Sequence, residues 1–250
     1  MRTPRLRIQE IHYHDIPNAA HRGELASVCN ALGLIGNAVE VGVWHGGFSR
    51  HNLQTWNGSR YYMIDAWSFR ANHTVNGALS RDKNINSTLQ NERDYNIARD
   101  AVAPWLMSGR AVILRRFAEA AVHDFPDQFF DFIYLDAGHD FMSVMRDLRA
   151  WFPKLRKGGM LAGDDFADEH DTFPRMNDHA GWHWGVKSAV AQFARSVRSP
   201  FFLTFADRSH VSTHRAPKAS KEFDDDDRTL HLELDRVRAH QYYPAWYLFK

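Results

Sequence analysis

The sequence predicts an α/β fold whose centre is a doubly wound, mainly parallel sheet. Short apolar runs alternate with amphipathic segments along its 250 residues, which is the pattern of strands that alternate with helices. A glycine-rich turn directly follows the first apolar run, and acidic side chains follow two later ones. Because the carboxyl ends of parallel strands open on one edge of such a sheet, we expect these segments to lie together.

Seven apolar runs and five amphipathic segments account for the elements of this fold. The expected strands cover residues 38–43, 61–64, 112–114, 130–135, 160–162, 201–205 and 246–249. The expected helices cover residues 25–32, 48–56, 91–106, 141–152 and 186–197. In a strand–helix–strand unit the two parallel strands are neighbours, so the order along the chain also predicts which strand ends meet.

The length of the chain fits one domain over residues 1–250, with additions to the core elements. Residues 1–36 are expected to form an N-terminal helical extension. Residues 68–91 and 167–185 are too long and polar for simple connections, so we interpret them as lid or substrate loops. The four aspartates at 224–227 are interpreted as a solvated charge run rather than as a metal site.

The composition argues against several kinds of partner. The 31 basic and 30 acidic residues leave a net charge of +1, which gives no electrostatic reason to bind nucleic acid or a membrane surface. No apolar run approaches the roughly 20 residues that cross a bilayer, and no secretory signal is visible. We therefore expect a soluble, cytoplasmic protein. Cys29, the single cysteine, allows no intramolecular disulfide and is expected to be a core residue.

Charged side chains follow two strands that flank one predicted helix. Asp136 and His139 come after the strand at 130–135, and Asp164 and Asp165 come after the next strand. Because these strands are expected to be neighbours, the four side chains would converge. Three carboxylates and an imidazole placed together destabilise one another unless a cation or a reaction compensates. The sequence therefore predicts a chemical site at this edge.

The glycine-rich turn after the first strand suits a cofactor. Gly42 and Gly46 allow a tight turn and a close approach of a ligand to the backbone. Their spacing differs from the dinucleotide-binding pattern, which argues against an NAD-dependent oxidoreductase. Asp65 ends the second strand, where a carboxylate can accept both hydroxyls of a ribose or can simply cap a turn. Trp67 would then lie against an adenine or methionine group.

Together these motifs resemble a known family. Glu-x-Gly-x-x-x-Gly-x-x-Ser at residues 40–49, the acid at Asp65, and the motifs DAGH and GDD are similar to those of class I S-adenosylmethionine-dependent methyltransferases. The resemblance covers residues 38–196 and is closest to small-molecule O-methyltransferases of the macrolide-sugar and aminocoumarin type. It implies a Rossmann-like seven-stranded sheet with a reversed last strand at 246–250. With Trp67 included, the residues expected to line the cofactor are Glu40, Gly42, Gly46, Ser49, Asp65, Trp67, Phe117, Ala118 and Asp136.

The resemblance also implies how an acceptor hydroxyl would be activated, since an alcohol is protonated at neutral pH and must lose its proton. Asp136, Asp164 and Asp165 would bind Mg²⁺ or Mn²⁺ beside the acceptor oxygen. His139 would act as the general base. The Asp-x-x-His spacing matches the macrolide-sugar branch, whereas aminocoumarin enzymes have a second Asp where this chain has Gly138. The implied activity is O-methylation of a sugar or glycoside hydroxyl, with Asp136 and His139 as the catalytic residues.

Other interpretations stay open for these residues. Asp136 can lie beside the cofactor without holding metal, His139 can merely orient its loop, and Asp165 can cap a turn. The protein would then be a metal-independent methyltransferase, or a protein that binds S-adenosylmethionine without catalysis. A nucleic-acid methyltransferase is disfavoured because neither a basic surface nor a base-flipping motif is present.

The loop at 170–185 is expected to shape the acceptor pocket. Trp182 and Trp184 would stack on a sugar or an aromatic acceptor, and His183 would add a polar contact. Alternatively, both tryptophans pack the loop onto the core. Enzymes similar to this chain often self-associate, so a homo-oligomer is consistent with the resemblance.

Overall fold

The computed structural model describes residues 19–68, 88–169, 171, 184–204 and 243–250, and the backbone of residues 74–75 and 78–79. Its strands are β1 (Asn37–Val41), β2 (Arg60–Asp65), β3 (Thr74–Val75), β4 (Ala78–Leu79), β5 (Ala111–Arg115), β6 (Phe130–Leu135), β7 (Leu155–Gly163), β8 (Phe201–Leu203) and β9 (Trp246–Phe249). Its α-helices are α1 (Leu25–Ala31), α2 (Gly47–Thr55), α3 (Thr88–Ala101), α4 (Ala103–Met107), α5 (Ala118–Ala121), α6 (Phe141–Trp151) and α7 (Val186–Val197).

Seven strands form one sheet in the order β5-β2-β1-β6-β7-β9-β8. The first five strands in this order pair in parallel, and β9 is antiparallel to both of its neighbours, β7 and β8. The predicted Rossmann-like sheet, mainly parallel with a reversed last strand, is therefore confirmed. From β1 the chain first adds β2 and β5 on one side of the sheet and then β6 and β7 on the other. The crevice at the carboxyl ends of β1 and β6 is therefore a topological switch point. Ligands bind at such points in open α/β sheets.

Alternate strand residues face two hydrophobic layers, because successive side chains on a strand point to opposite faces. Val39 and Ile133 pack in the layer that contains α6 and α7. Ala38 and Phe132 pack in the opposite layer, against α1 and α2. Cys29 lies in that second layer and is fully buried, so it is the core residue that the sequence predicted.

The strand predicted at 160–162 is longer in the structure, because β7 begins at Leu155. Gly158 has a φ of 72°, and its N–H donates to the carbonyl of Lys250 at 2.6 Å. The pairing of β7 with β6 shifts register between Phe130 and Phe132. An irregular first half of the strand thus accommodates polar, partly exposed residues that lack the apolar pattern of a buried strand.

The helix predicted at 91–106 is two helices, α3 and α4, which break at Val102. Pro104 lies in the first turn of α4, where its missing N–H is tolerated. The same residue in a continuous helix would remove a hydrogen bond and clash with the preceding turn, so the chain starts a new helix instead.

The described parts of the expected extension and loops contain regular structure. A 3₁₀ helix at Arg22–Glu24 precedes α1, and residues 1–18 lie outside the described residues. Within 68–91 the chain forms the β3–β4 hairpin and begins α3. Within 167–185, Asp168 pairs with Gly185 in an isolated antiparallel bridge. Among the described residues, no helix is both long enough and apolar enough to span a membrane.

Candidate active site

The carboxyl ends of β1, β2 and β6 meet around Gly42. This glycine has a φ of 91°, and a Cβ atom placed on it would lie 1.8 Å from the carbonyl oxygen of Asp136. Its N–H donates to the carbonyl of Ile64 at 2.8 Å, while the N–H of Asp136 donates to the carbonyl of Val41 at 2.7 Å. Only glycine permits both this backbone angle and this close approach, so Gly42 joins the three strand ends.

Gly46 is the second constrained glycine of the turn. It has a φ of 72° directly before α2, and a Cβ atom there would lie 3.1 Å from the Cα of Ala98 on α3. Gly47 begins α2, and a Cβ atom on it would meet nothing within 4 Å. The turn therefore depends on Gly42 and Gly46, as the sequence motif predicts, and presents the N-terminus of α2 beside the strand ends.

Asp65, at the end of β2, organises the turn through its carboxylate. It accepts hydrogen bonds from the backbone N–H groups of Val43 at 2.9 Å, Trp44 at 3.0 Å and Trp67 at 2.8 Å. A carboxylate has about four acceptor positions, so three are used and one remains on Oδ1. Asp65 thus caps the turn, which was one of the two expected roles, and retains one acceptor position.

Two tryptophans at this turn differ in exposure. Trp67 is only 4% exposed; its ring packs edge-on against Tyr95, and its indole N–H donates to the carbonyl of Trp44 at 2.8 Å. Trp44 is 58% exposed and stacks on His45, with ring centroids 4.0 Å apart. Trp67 therefore supports the turn from inside the protein. Trp44, which the sequence analysis did not single out, instead presents an exposed aromatic ring at the turn.

Glu40 is buried beneath the turn. Its carboxylate accepts hydrogen bonds from the hydroxyl of Ser49 at 2.5 Å and from that of Tyr61 at 2.9 Å. Burial raises the pKa of Glu40 to about 8, although both hydrogen bonds oppose this shift. Glu40 and Ser49, both predicted to line the cofactor, thus connect β1, α2 and β2 in the core directly below the turn.

Phe117 and Ala118 follow β5 on the far side of β2. Phe117 is the residue before α5, Ala118 is its first residue, and both are half-buried. Asp65 pairs with Arg115 in the β2–β5 register, and Phe117 lies two residues after Arg115. The register therefore places these two residues, predicted to line the cofactor, just beyond the end of the strand next to β2.

On the other side of β1, three of the predicted chemical side chains lie together. His139 Nε2 is 2.9 Å from Asp165 Oδ2 and 3.6 Å from Asp136 Oδ1. Asp165 has a φ of 55°, a left-handed conformation that aspartate tolerates better than most residues and that turns its carboxylate back toward β6. One ligand atom from each of these three residues lies within 4.8 Å of the others, which is close enough to hold a metal ion.

The two carboxylates control the charge of His139. Burial on its own would lower the pKa of His139, but the nearby carboxylates of Asp136 and Asp165 raise it well above its ordinary value. The two carboxylates therefore favour the protonated imidazolium in this arrangement. It can donate a proton, and it can accept one only after its surroundings change.

Asp164, the third predicted carboxylate, has a different partner. Its side chain is 8% exposed and forms an ion pair with Arg22 from the 3₁₀ helix before α1. The same guanidinium lies 3.9 Å from Asp136 Oδ2 and over the ring of Phe48, 5.6 Å from its centroid. Sequence reasoning missed Arg22, since no motif or spacing connects this extension with the end of β7.

The acidic side chains and their cationic partners form a row of alternating charge. The order is Asp164, Arg22, Asp136, His139 and Asp165. The carboxylates of Asp136 and Asp165 and the imidazole of His139 are a reasonable donor set for Mn²⁺. They are a weaker set for Mg²⁺, which prefers oxygen ligands alone. An all-oxygen set would require Asp164, which Arg22 engages here.

Trp184 is the one predicted substrate residue within the described part of the chain. Its side chain is 6% exposed and packs between the rings of His139 and Tyr243, with centroid distances of 4.9 Å and 5.0 Å. It therefore supports His139 from the core side, in agreement with the packing alternative. Trp182 and His183 lie outside the described residues.

Comparison with known proteins identifies what this arrangement is similar to. A family model described as a methyltransferase domain matches residues 39–166, which is just over half of the chain. No curated protein matches the sequence. The matched residues extend from β1 through the acidic pair after β7, so they include the glycine turn, Asp136, His139, Asp164 and Asp165, whereas Arg22 lies before the match.

Solved structures share the fold at low sequence identity. One is an O-methyltransferase from Bacillus cereus in complex with SAH: 14% identity, TM-score 0.50, covering 94% of this chain and 84% of that chain. Another is an O-methyltransferase family protein from Burkholderia thailandensis, with 9% identity and a TM-score of 0.55. The match covers 91% of this chain and 55% of that chain. A spermidine synthase has 13% identity and a TM-score of 0.51, covering 93% and 60%. These similarities show the fold, and the differing names show that the fold alone does not define the reaction.

Proposed function

Since the chain belongs to the methyltransferase-domain family, we propose that it moves a methyl group from S-adenosylmethionine to a hydroxyl of a small molecule, with a sugar or glycoside favoured. The proposal includes a Mg²⁺ or Mn²⁺ ion beside the acceptor oxygen and His139 as the general base. The position of Asp136 supports it best. Its carbonyl oxygen packs against Gly42 in the cofactor turn, and its carboxylate lies 3.6 Å from His139. Methyl donor and hydroxyl-activating groups would therefore meet at one residue.

The cofactor would bind over the ends of β1, β2 and β5. Gly42 and Gly46 leave the turn free of side chains, so a ligand can approach the backbone closely. Asp65 offers its remaining acceptor position to a ribose hydroxyl, and Phe117 and Ala118 lie beside it. A cofactor held there would present its methyl group toward Asp136 and the ends of β6 and β7.

In the reaction, the acceptor oxygen attacks the methyl carbon as the bond from that carbon to sulfur breaks, which leaves S-adenosylhomocysteine. The hydroxyl proton passes to His139 Nε2. His139 must be neutral to accept it, so Asp136 and Asp165 must release their hold on the imidazolium before transfer. A divalent cation, when bound, supplies positive charge that lowers the pKa of the acceptor hydroxyl.

A metal-independent methyl transfer is the second candidate, and one observation favours it. Arg22 and His139 already compensate the three carboxylates with positive charge from the chain itself. The acidic cluster therefore does not by itself require a metal ion. In this version Arg22 holds Asp164 throughout the reaction, and His139 alone handles the proton.

Calorimetric titration of S-adenosylmethionine into metal-stripped protein tests the first step. The expected result is binding with one site per chain, and absence of binding would overturn the methyltransferase proposal. Transfer of a labelled methyl group to a panel of sugars, glycosides, catechols and carboxylic acids, with and without Mg²⁺ or Mn²⁺, then tests the rest. Labelling of sugar hydroxyls that requires the metal supports the first candidate, and metal-independent labelling supports the second.

A further inference from the structure

Arg22 places a fixed positive charge between two carboxylates that the proposed function assigns to a metal ion. Its guanidinium pairs with Asp164, which is 8% exposed, and its Nη1 lies 3.9 Å from Asp136 Oδ2. Arg22 is itself only 31% exposed, so the surrounding solvent screens these charges incompletely. The guanidinium thus occupies the space between the ends of β6 and β7.

The backbone around Arg22 is anchored to the cofactor side of the protein. The carbonyl of Gly23 is hydrogen-bonded to His51 Nε2 of α2 at 2.7 Å, and Leu25 is fully buried. The N–H of Ala20 donates to Glu24 Oε2 at 2.8 Å and closes the segment on itself. The pair between Arg22 and Asp164 therefore connects this anchored segment to the end of β7.

A divalent ion bound by all three carboxylates would take oxygen ligands at about 2.0–2.6 Å. At Asp164 and Asp136 this places the ion within a few ångströms of the guanidinium, where two positive centres repel each other strongly in a partly buried site. Asp164 Oδ2, which pairs with Arg22, could bind the ion only after that pair broke. Arg22 and the ion are thus alternatives for the same carboxylates.

We propose that Arg22 is an internal counter-cation that a divalent ion must displace from Asp164 and Asp136 before the three-carboxylate site forms. This inference rests on the metal-dependent version of the proposed function. It means that the segment from Ala20 to Ala31 would influence metal binding through Arg22, although none of its residues would bind the ion. Metal binding would release Arg22 and loosen the connection between α1 and the end of β7.

The affinity for Mn²⁺, measured by electron paramagnetic resonance, tests the competition. Arg22→Gln removes the competitor and is expected to bind Mn²⁺ about tenfold more tightly. This is the gain expected if Arg22 leaves the carboxylates free in about one tenth of the wild-type molecules and the substitution frees them in nearly all. Arg99→Gln is the matched control, because it removes the same charge from an exposed position on α3. Among the described residues, the Arg99 guanidinium pairs only with the neighbouring Asp100. This variant should bind Mn²⁺ like the wild type.

A double-mutant cycle separates competition from general electrostatics. In an Asp164→Asn background, Arg22→Gln should lose most of its effect, because the carboxylate for which the two cations compete is gone. Simple charge repulsion would instead give the same tightening with or without Asp164, and that result would overturn the proposal. So would an Arg22→Gln variant that binds Mn²⁺ no more tightly than Arg99→Gln.

Hydrogen exchange of the wild-type protein provides a test that needs no variant to fold. Saturating Mg²⁺ should speed the exchange of backbone amides between residues 20 and 31, and unchanged or slower exchange would count against displacement. Calorimetry with S-adenosylmethionine on the same samples distinguishes the failures. If S-adenosylmethionine binds but no variant binds Mn²⁺, this inference and the metal-dependent version of the proposed function are overturned, whereas the methyltransferase proposal stands.

Discussion

The two halves of the sheet edge hold their acidic side chains in different ways. In the cofactor half, at the ends of β1 and β2, Asp65 is held by three backbone N–H groups and Glu40 by two hydroxyls. In the acidic half, at the ends of β6 and β7, Asp136, Asp164 and Asp165 are held by two cationic side chains. Backbone donors cannot leave, whereas ion pairs can exchange. The first half is therefore preformed, and the second can respond to a ligand.

The largest expected effect tests the rigidity of the cofactor half. Gly42→Ala would place a Cβ atom 1.8 Å from the carbonyl oxygen of Asp136 at a φ of 91°. We expect the variant to lose more than about 4 kcal/mol of unfolding free energy or to fail to fold, because backbone rather than a flexible side chain obstructs the new atom. Urea denaturation followed by circular dichroism measures the loss.

Gly47→Ala is the control for that substitution, because it changes the same turn at a position with open space. It should alter stability by no more than about 0.5 kcal/mol. Equal effects of the two substitutions would show that the turn tolerates movement, and the contrast between a rigid and an exchangeable half would fail.

The next largest effect concerns the acidic half and activity rather than folding. His139→Gln keeps a hydrogen-bond donor beside Asp165 but removes the proposed general base, so the rate of methyl transfer should fall about 10²–10⁴-fold. The affinity for S-adenosylmethionine should stay within about twofold, since the cofactor half is unchanged. Single-turnover kinetics with an acceptor from the screen provide the rate, and calorimetry provides the affinity.

His123→Gln serves as the control, because this exposed histidine lies in the short 3₁₀ helix at Val122–Asp124, away from the site. Its rate should equal that of the wild type. If His139→Gln also retained its rate, His139 would only orient its loop, and the acidic half would have no role as a base.

Sequence patterns predicted the two halves unequally well, and the same physical difference explains why. The strands and the glycine turn depend on local apolar periodicity and on backbone angles, which single residues such as Gly42 reveal. The start of β7, at the opposite edge of the sheet, escaped prediction because Arg156 to Gly158 are only partly buried and have no buried-strand pattern. Arg22 escaped it because an ion-pair partner is selected by packing between distant segments, for which no local signal exists.

Asp65 tests how far a preformed site contributes to binding. Asp65→Asn replaces one acceptor oxygen with an amide nitrogen that cannot accept, so part of the cap on the turn is lost along with the proposed ribose contact. We expect S-adenosylmethionine to bind about 10–100-fold more weakly, which corresponds to one or two lost hydrogen bonds to a charged group. Calorimetry measures the change.

Asp100→Asn is the matched control on α3, where the side chain is 72% exposed and pairs with the adjacent Arg99. Its affinity for the cofactor should not change. An Asp65→Asn variant that binds as tightly as this control would mean that the turn holds its shape and its ligand without the carboxylate.

The smallest effect concerns Glu40 and sharpens the comparison through pH. Burial raises the pKa of Glu40 from an ordinary value of 4.5 to about 8, so between these values the folded protein holds a proton that the unfolded chain has released. Stability from this group is complete below pH 4.5, falls as the pH rises, and is lost above pH 8, with a slope on the order of 1 kcal/mol per pH unit. Glu40→Gln can still accept hydrogen bonds from Ser49 and Tyr61 but cannot titrate, so urea unfolding should show a flatter loss between pH 5.5 and 8.5.

Glu92→Gln provides the reference for this pH series. Glu92 lies on the surface, and its hydrogen bond with Arg115 lowers its pKa, so it titrates below the measured window and its substitution should leave the slope unchanged. A wild-type slope that Glu40→Gln does not reduce would mean that Glu40 is already ionised when the protein is folded. The cofactor half would then contain a buried charge stabilised by two hydroxyls alone, and it would resemble the acidic half more closely than its hydrogen bonds indicate.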